Sequence, residues 1–427
     1  MIEIPAIFAD TVRSVGLSTA MRAAGMVTGL LPIPQPVLLV GRGASRRLGE
    51  AIGGFGHRRV LLVTDKVVAG LGLHRPLLGA LRAAGVEHVL YDGISADAPL
   101  PEVERGVALF RRRRCDAVVG VGGGSPMDAA KVIASAAAND KHPRQLVGYF
   151  RGLKTPAPIY AVPTTAGTGS EVTVAAVVSD PESGRKLVIA DTRLVPQMAA
   201  LDPELMTALP KAVTAATGMD ALTHAVEAYL GTWASEHTDR LALAAVGMVF
   251  ANLRKACRNG RDLAAREQMS LAASYAGLAF TRANVGYVHA IAHQIGGRYH
   301  VPHGLANAIL LPHVLRFVSP AVTKRLARLA VQARAGRPGD RPATLATKFI
   351  AAVEQLSRDV GIPTTVAGLR EADIPALAKA ACWEADTNYP VPRYMSPDTC
   401  EGILRQVLPP PQARHRARVR ARSTGAA

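Results

Sequence analysis

Four cysteines in 427 residues, at positions 115, 257, 382 and 400, are too few and too scattered for a disulfide framework, and none forms a Cys-x-x-Cys pair. A disulfide-stapled domain is excluded, and the pattern suits a reducing cytoplasm. Aromatic residues make up only 4% of the chain, and acids are outnumbered by 50 Lys and Arg to 33, for a net charge of +17. Such a surplus permits binding to nucleic acid or an anionic surface. Yet its densest clusters, at 111–114 and at Arg414, Arg416, Arg418, Arg420 and Arg422, carry none of the interleaved aromatics that a single-strand stacking platform requires. The expectation is a solvated basic surface with no nucleic-acid partner. No uninterrupted apolar run reaches the roughly twenty residues of a membrane span. The opening MIEIPAIFAD has two acids and no basic segment ahead of an apolar one, so no secretory signal is read there.

What the chain does have is alternation. After a lead-in at 1–34, with one amphipathic helix expected near 11–24, apolar runs VLLVG (37–41), RVLLVTD (59–65), VEHVLYD (86–92), DAVVGVGGG (116–124) and PIYAVPTT (158–165) alternate with helical patterns. Those helices are expected near 44–53, 74–84, 102–113 and from Pro126. Short apolar strands spaced by helices of ten or more residues predict βαβ units on a parallel sheet, a Rossmann-like dinucleotide-binding α/β domain at 35–210. The stretch 171–191 predicts a hairpin turning at 180–184. From about Leu209 the pattern becomes long helices, predicting an all-α domain at 211–408, and 409–427 reads as a disordered basic tail. A cleft between the two domains is where a ligand site is expected.

Two strand ends carry chemistry. GGGSPMDAAK (122–131) sends three glycines out of a buried strand into a helix, so backbone N–H groups can approach a pyrophosphate, although a tight turn uses glycine anyway. Asp65 ends RVLLVTD, placed either to accept from a ribose hydroxyl or to cap the next helix. PTTAGTGSE (163–171) adds hydroxyls and free N–H groups to the same edge.

The densest signal is NVGYVHAIAHQIGGRYHVPHG (284–304), which holds four of the twelve histidines. His289 and His293 are four apart, on one helical face. After Gly296 and Gly297 a short loop brings His303 back toward them. Upstream, GMDALTHAVE sets Asp220 and His224 at the same interval. Imidazoles with one carboxylate and no thiolate suit Fe²⁺ or Zn²⁺ better than Ca²⁺ or Mg²⁺.

With these four motifs in this order, the chain resembles the iron-containing (group III) alcohol dehydrogenase family over roughly 36–408. The resemblance implies Asp220, His224, His289 and His303 as metal ligands, with His293 beside the nicotinamide, a catalytic residue expected to relay the hydroxyl proton or to orient the cofactor. It implies NAD binding by Asp65, Gly122, Gly123, Gly124, Ser125, Thr164, Thr165, Thr168 and Lys186, with NADP disfavoured by the Asp65 charge. It further implies Fe²⁺, or alternatively Zn²⁺, a small alcohol or aldehyde as substrate, and a homodimer or larger homo-oligomer. Ala175 and Phe280 are expected to line the substrate pocket, where Ala175 replaces a polar side chain of diol-oxidising relatives. Arg298 and His300 also depart from the family pattern and are expected either to alter the pocket mouth or to face solvent. Rival readings are a polyol dehydrogenase or dehydroquinate synthase-like enzyme on the same scaffold, and, from another class, a protein that binds nucleic acid or acidic partners through its basic surface.

Overall fold

A computed structural model describes residues 16, 17, 19, 21, 23–26 and 29–410. The expected basic tail therefore lies almost wholly outside the described residues. Of the helix expected near 11–24, positions 16, 17, 19, 21, 23 and 24 are described, and all are helical. Trp233 Nε1 donates to the Met21 carbonyl at 2.7 Å, tying this lead-in to the C-terminal half.

The N-terminal half is a parallel α/β layer. Strands β1 (Val37–Val40), β2 (Arg59–Val63), β3 (Glu87–Tyr91), β4 (Ala117–Gly122), β6 (Ile159–Pro163) and β9 (Met198–Leu201) form one sheet in the order β1-β9-β6-β4-β2-β3. Every neighbouring pair is parallel. Helices α1 (Ala44–Gly54), α2 (Lys66–Leu71), α3 (Arg75–Ala83), α4 (Leu100–Arg112) and α5 (Gly124–Asn139) make the crossovers. From β2 the chain steps outward to β3, then returns past it to β4 and continues the other way. That reversal puts the carboxyl ends of β2 and β4 side by side at the topological switch point, where open parallel sheets bind ligands. Asp65 and the glycine turn stand on those two ends.

The hairpin expected at 171–191 forms as β7 (Ala175–Asp180) and β8 (Arg185–Ala190), but it leaves the main sheet and pairs with β5 (Gly148–Tyr149). Strand β9 was not foreseen. Its four residues lie after a hairpin with only a 3₁₀ turn at Thr192–Leu194 between, so no βαβ period announces it.

The C-terminal half is helical: α6 (Lys211–Leu230), α7 (Glu236–Arg258), α8 (Leu263–Ala283), α9 (Tyr287–Tyr299), α10 (His303–Gln332), α11 (Pro342–Val360), α12 (Ile374–Asn388) and α13 (Pro397–Gln406). Helix α6 is buried on nearly every side, which is the signature of a core helix rather than an amphipathic one. Helix α10 is long and apolar enough to cross a membrane by length and composition, but 61% of its most apolar window is buried. It packs on α6, α9 and α11. Pro312 and Pro320 interrupt it, and Val322 is non-helical at φ −130°.

The two halves meet closely, through tight glycine contacts and one buried hydrogen bond, Ser274 Oγ donating to Glu171 Oε1 at 2.6 Å. Loop 163–173 lies against the helices, where a Cβ on Gly169 would stand 2.8 Å from Gly277 Cα and one on Gly167 would stand 2.7 Å from Thr217 Cβ. On its other side the loop is held by α5. Lys131, fully buried, donates to the Thr173 and Ala175 carbonyls at 2.9 and 2.8 Å, and Asp128 accepts from Ser170 Oγ at 2.6 Å and Val177 N at 2.9 Å. Burial lowers the Lys131 pKa to about 8 and raises that of Asp128.

The end of α9 is held by a charged knot. Tyr299 Oη and Arg370 Nε donate to Asp373 Oδ2 at 2.5 and 2.7 Å, and Arg298 pairs with Oδ1. Tyr299, then Arg370, hold the Asp373 carboxyl down to about 2. A depressed carboxylate stabilises the fold fully above its ordinary value near 4, and that stabilisation is lost as pH falls toward about 2. Asp373→Asn should therefore lower the Tm at about pH 6, with the gap to wild type shrinking between about pH 4 and 2. Paired thermal melts across that range check it, and a gap independent of pH would contradict the assignment.

Candidate metal centre and active site

Helix α6 places Asp220 and His224 one turn apart, α9 contributes His289, and His303 opens α10 directly after Pro302. One potential ligand atom from each lies within 4.8 Å of all the others. The His224 and His289 rings are 4.6 Å apart, those of His289 and His303 are 5.3 Å apart, and His303 Nε2 stands 3.7 Å from Asp220 Oδ1. Gly304 lets α10 start this close to α6, since a Cβ there would meet the Ala216 carbonyl at 2.5 Å.

Burial holds His289 and His303 well below the usual imidazole range. Burial pushes Asp220 up, but the neighbouring histidines and the Asn307 amide outweigh it and leave the carboxyl below its usual value. Neutral imidazoles and an ionised carboxylate are the forms that bind metal. His224 Nδ1 is buried with no hydrogen-bond partner, an orphan that a protein-only account does not satisfy. Three nitrogens and one oxygen, crowded and short of donors, fit a divalent ion of the Fe²⁺ or Zn²⁺ type.

His293, one turn beyond His289, is outside this cluster. Its ring stacks on His303 at 5.3 Å, and its Nδ1 is 2.6 Å from Glu384 Oε1. Glu384 also accepts from Gln294 at 2.7 Å and Tyr389 at 2.6 Å, so the ring is clamped at one nitrogen and free at the other.

The residues expected to hold a dinucleotide converge at the switch point. Gly122 has φ +151°, and a Cβ there would collide with Pro126. A Cβ on Gly124 would touch Thr168 at 3.0 Å and one on Gly123 would touch Thr165 at 3.6 Å, while Thr164 N donates to the Gly122 carbonyl. Helix α5 begins at Gly124, two residues before the expected Pro126 start. Proline fits anywhere in that first turn, because its missing N–H has no partner there. Asp65 caps α2 through Val68 N at 2.8 Å, the plainer of its two expected roles. Lys186 joins the group indirectly: its Nζ is 2.9 Å from Asp97 Oδ1, and Asp97 N donates to Ser125 Oγ at 3.0 Å.

The pocket expectations fare unevenly. Phe280 stacks on His224 at 4.3 Å, so it is first of all a wall behind that imidazole. Ala175 opens β7, with its carbonyl engaged by Lys131. Arg298 turns away to Asp373. His300 is exposed and caps α9 in the left-handed region at φ 53°, a conformation that suits Asn or Asp, the residues more usual there.

The sequence profile of iron-containing alcohol dehydrogenases matches 35–203, and that of the C-terminal part of the Fe-containing alcohol dehydrogenase family matches 214–408. The chain belongs to the iron-containing alcohol dehydrogenase family. It is 42% identical to a 1,3-propanediol dehydrogenase of Klebsiella pneumoniae over 365 residues, covering 84% of this chain and 94% of that one. It is 38% identical to an NAD-dependent methanol dehydrogenase of Bacillus methanolicus, covering 81% and 91%. A solved 1,3-propanediol oxidoreductase superposes with a TM-score of 0.86 at 41% identity, covering 89% of this chain and all of the other. This iron-containing alcohol dehydrogenase is thus an oxidoreductase acting between alcohols and aldehydes.

Two carboxylates that hold the site's histidines escaped the sequence reading. Glu227 lies seven after Asp220 and three after His224, on the same face of α6, and that spacing was a usable signal. Its Oε2 accepts from His289 Nδ1 at 2.5 Å and its Oε1 from Val288 N at 2.7 Å. Burial pushes its carboxyl up to about 7. With Nδ1 occupied, His289 presents Nε2 to the cluster. Glu384 lies 91 residues from His293 and gave no local sign. Glu227→Ala should leave the four cluster residues in place but weaken metal binding about 10–100-fold, the usual cost of losing such an orienting partner. Zinc titration of chelator-stripped protein checks this, and wild-type affinity in the variant would refute it.

Proposed function

We propose that this enzyme oxidises a small primary alcohol with NAD⁺ and reduces the aldehyde in the reverse direction, with Asp220, His224, His289 and His303 holding Fe²⁺ or Zn²⁺. The observation that carries the reading is the seat of loop 163–173: the loop that bears Thr164, Thr165 and Thr168 presses Gly167 onto Thr217, one turn before Asp220 on the ligand helix. A dinucleotide on the glycine turn and an ion in the cluster would thereby share one cleft. The two profile matches fall on either side of the proposed division between a dinucleotide domain at 35–210 and a metal domain at 211–408.

A bound divalent ion would supply Lewis acidity toward the substrate oxygen. The protein's own part is placement. The turn at Gly122–Ser125 and the start of α5 orient the dinucleotide through backbone N–H groups. Phe280 and the aliphatic walls of the helical half exclude water. His293, fixed at Nδ1 by Glu384, takes and returns the hydroxyl proton at Nε2. Ala175 offers no partner to a second hydroxyl, which favours unbranched alcohols over vicinal diols. The name of the similar methanol dehydrogenase fits a substrate with one hydroxyl, and that of the 1,3-propanediol dehydrogenase one whose second hydroxyl is not vicinal. A homo-oligomer belongs to the same proposal: among the described residues β1 is an edge of the sheet with Val37 exposed, a surface able to pair with another copy. The four free, buried cysteines suit a cytoplasmic setting.

Two outcomes test the assignments. His289→Ala should lose metal and activity together, with partial recovery in excess Fe²⁺ or Zn²⁺. His293→Ala should keep its metal and lose turnover by about 10²–10⁴-fold, without response to added metal. Metal analysis and kcat for both variants decide the matter, and loss of metal from His293→Ala would reverse the two roles.

Coenzyme choice gives the second test. Asp65 would face the 2′-phosphate of NADP⁺ as a like charge, at a cost on the order of 4 kcal/mol at about 4 Å before screening. NAD⁺ should therefore be preferred, and Asp65→Ser should erode the preference. An unchanged kcat/KM ratio for the two coenzymes in that variant would remove Asp65 from the ribose site.

A further inference from the structure

We infer that Asn307 is a positioning residue for the metal ligands, an inference that rests on reading the Asp220, His224, His289 and His303 cluster as a metal site. Asn307 lies on α10 one turn after His303 and is fully buried. Its Nδ2 donates to Asp220 Oδ1 at 2.7 Å and stands 3.2 Å from His289 Nε2 and 3.1 Å from His303 Nε2. One amide group thus touches residues of three helices, α6, α9 and α10, and three of the four cluster members.

Asp220 settles which way the amide points, because the reverse orientation would set a carbonyl against a carboxylate with no proton between them. In the orientation that results, Asn307 Oδ1 is buried with no hydrogen-bond partner. Leucine would fill nearly the same space without leaving a buried acceptor unpaired. A polar side chain that is half unsatisfied is accounted for by its donor end, and that end faces the ligands.

The need for a donor follows from the cluster itself. Glu227 fixes His289 with its proton on Nδ1, so its Nε2 points inward as a lone pair, close to an ionised carboxylate and two further imidazoles. Convergent acceptors repel and would splay apart. The Asn307 amide gives Asp220 a fixed partner at the centre of the group, and this bond survives loading because a carboxylate oxygen has a second lone pair. Asn307 therefore holds the one hard ligand in place before an ion arrives.

The test uses full-length protein stripped of metal with a chelator, then titrated with Zn²⁺ and Co²⁺ in competition with a chromogenic chelator. Asn307→Leu should weaken Zn²⁺ binding by about 10–100-fold and alter the visible Co²⁺ spectrum, which reports ligand arrangement rather than stability. Asn307→Asp keeps the shape but exchanges the donor for an oxygen acceptor, and should move the Mn²⁺-to-Zn²⁺ preference toward Mn²⁺ by about tenfold. Wild-type Zn²⁺ affinity and Co²⁺ spectrum in Asn307→Leu, with or without a lower Tm, would overturn the inference. If that variant does not fold, wild-type affinity and metal preference in Asn307→Asp would do the same. Failure of the wild-type protein to bind either ion would instead refute the metal reading on which the inference rests.

Discussion

Glu227 carries a carboxylate into the helical core, where burial raises its pKa to about 7 and hydrogen bonds at the start of α9, with the nearby His224, compensate it in part. Those bonds fix three things at once. They set where α9 begins, they set the tautomer of His289, and through the helix they set the direction in which His293 leaves the same face one turn later. Removing one partner of such a buried pair leaves the other unsatisfied, which is why the geometry around it is narrow. Gly286 is part of the same constraint, because a side chain there would stand 2.9 Å from the Glu227 carboxylate.

Much of this was legible in advance because it follows local periodicity. The alternation of apolar strands with helices predicts the parallel sheet, and i,i+4 spacing predicts which faces Asp220, His224, His289 and His293 share. Glu227 was within reach of the same argument, and Asn307, four after His303, was too. Neither looked like chemistry in the sequence, because an acid and an amide in a helix are ordinary surface residues until burial is known. What could not be read was pairing between distant segments. Strand β9 slots between β1 and β6 by sheet geometry alone, Glu384 reaches His293 from another helix, and Lys131 is buried only because loop 163–173 folds over it. Arg298 and His300 were open to two readings, at the pocket mouth or facing solvent; one belongs to the knot at Asp373, and the other is an exposed helix cap.

The site also depends on two kinds of contact meeting in one loop. On the sheet side, loop 163–173 is held by charged and polar groups whose partners are specified atom by atom, such as Lys131 with the Thr173 and Ala175 carbonyls. On the helical side one buried hydrogen bond, from Ser274 to Glu171, is joined by close packing that depends on the absence of side chains at Gly167, Gly169 and Gly277. Polar contacts resist sliding, whereas bare backbone contacts resist any increase in volume.

That asymmetry bears on how halves of related enzymes can be exchanged. A chimera joined in the short connection between β9 and α6 keeps the loop with its sheet-side anchors, since Lys131, Asp128 and the loop travel together. It receives from the other parent only the surface beneath. Compatibility then reduces to whether the incoming helices offer a bare backbone opposite Gly169, a side chain no larger than threonine opposite Gly167 and a hydroxyl opposite Glu171. Coenzyme preference and metal chemistry could on these grounds be recombined as separate modules, with residues 217, 274 and 277 as the gauge of fit.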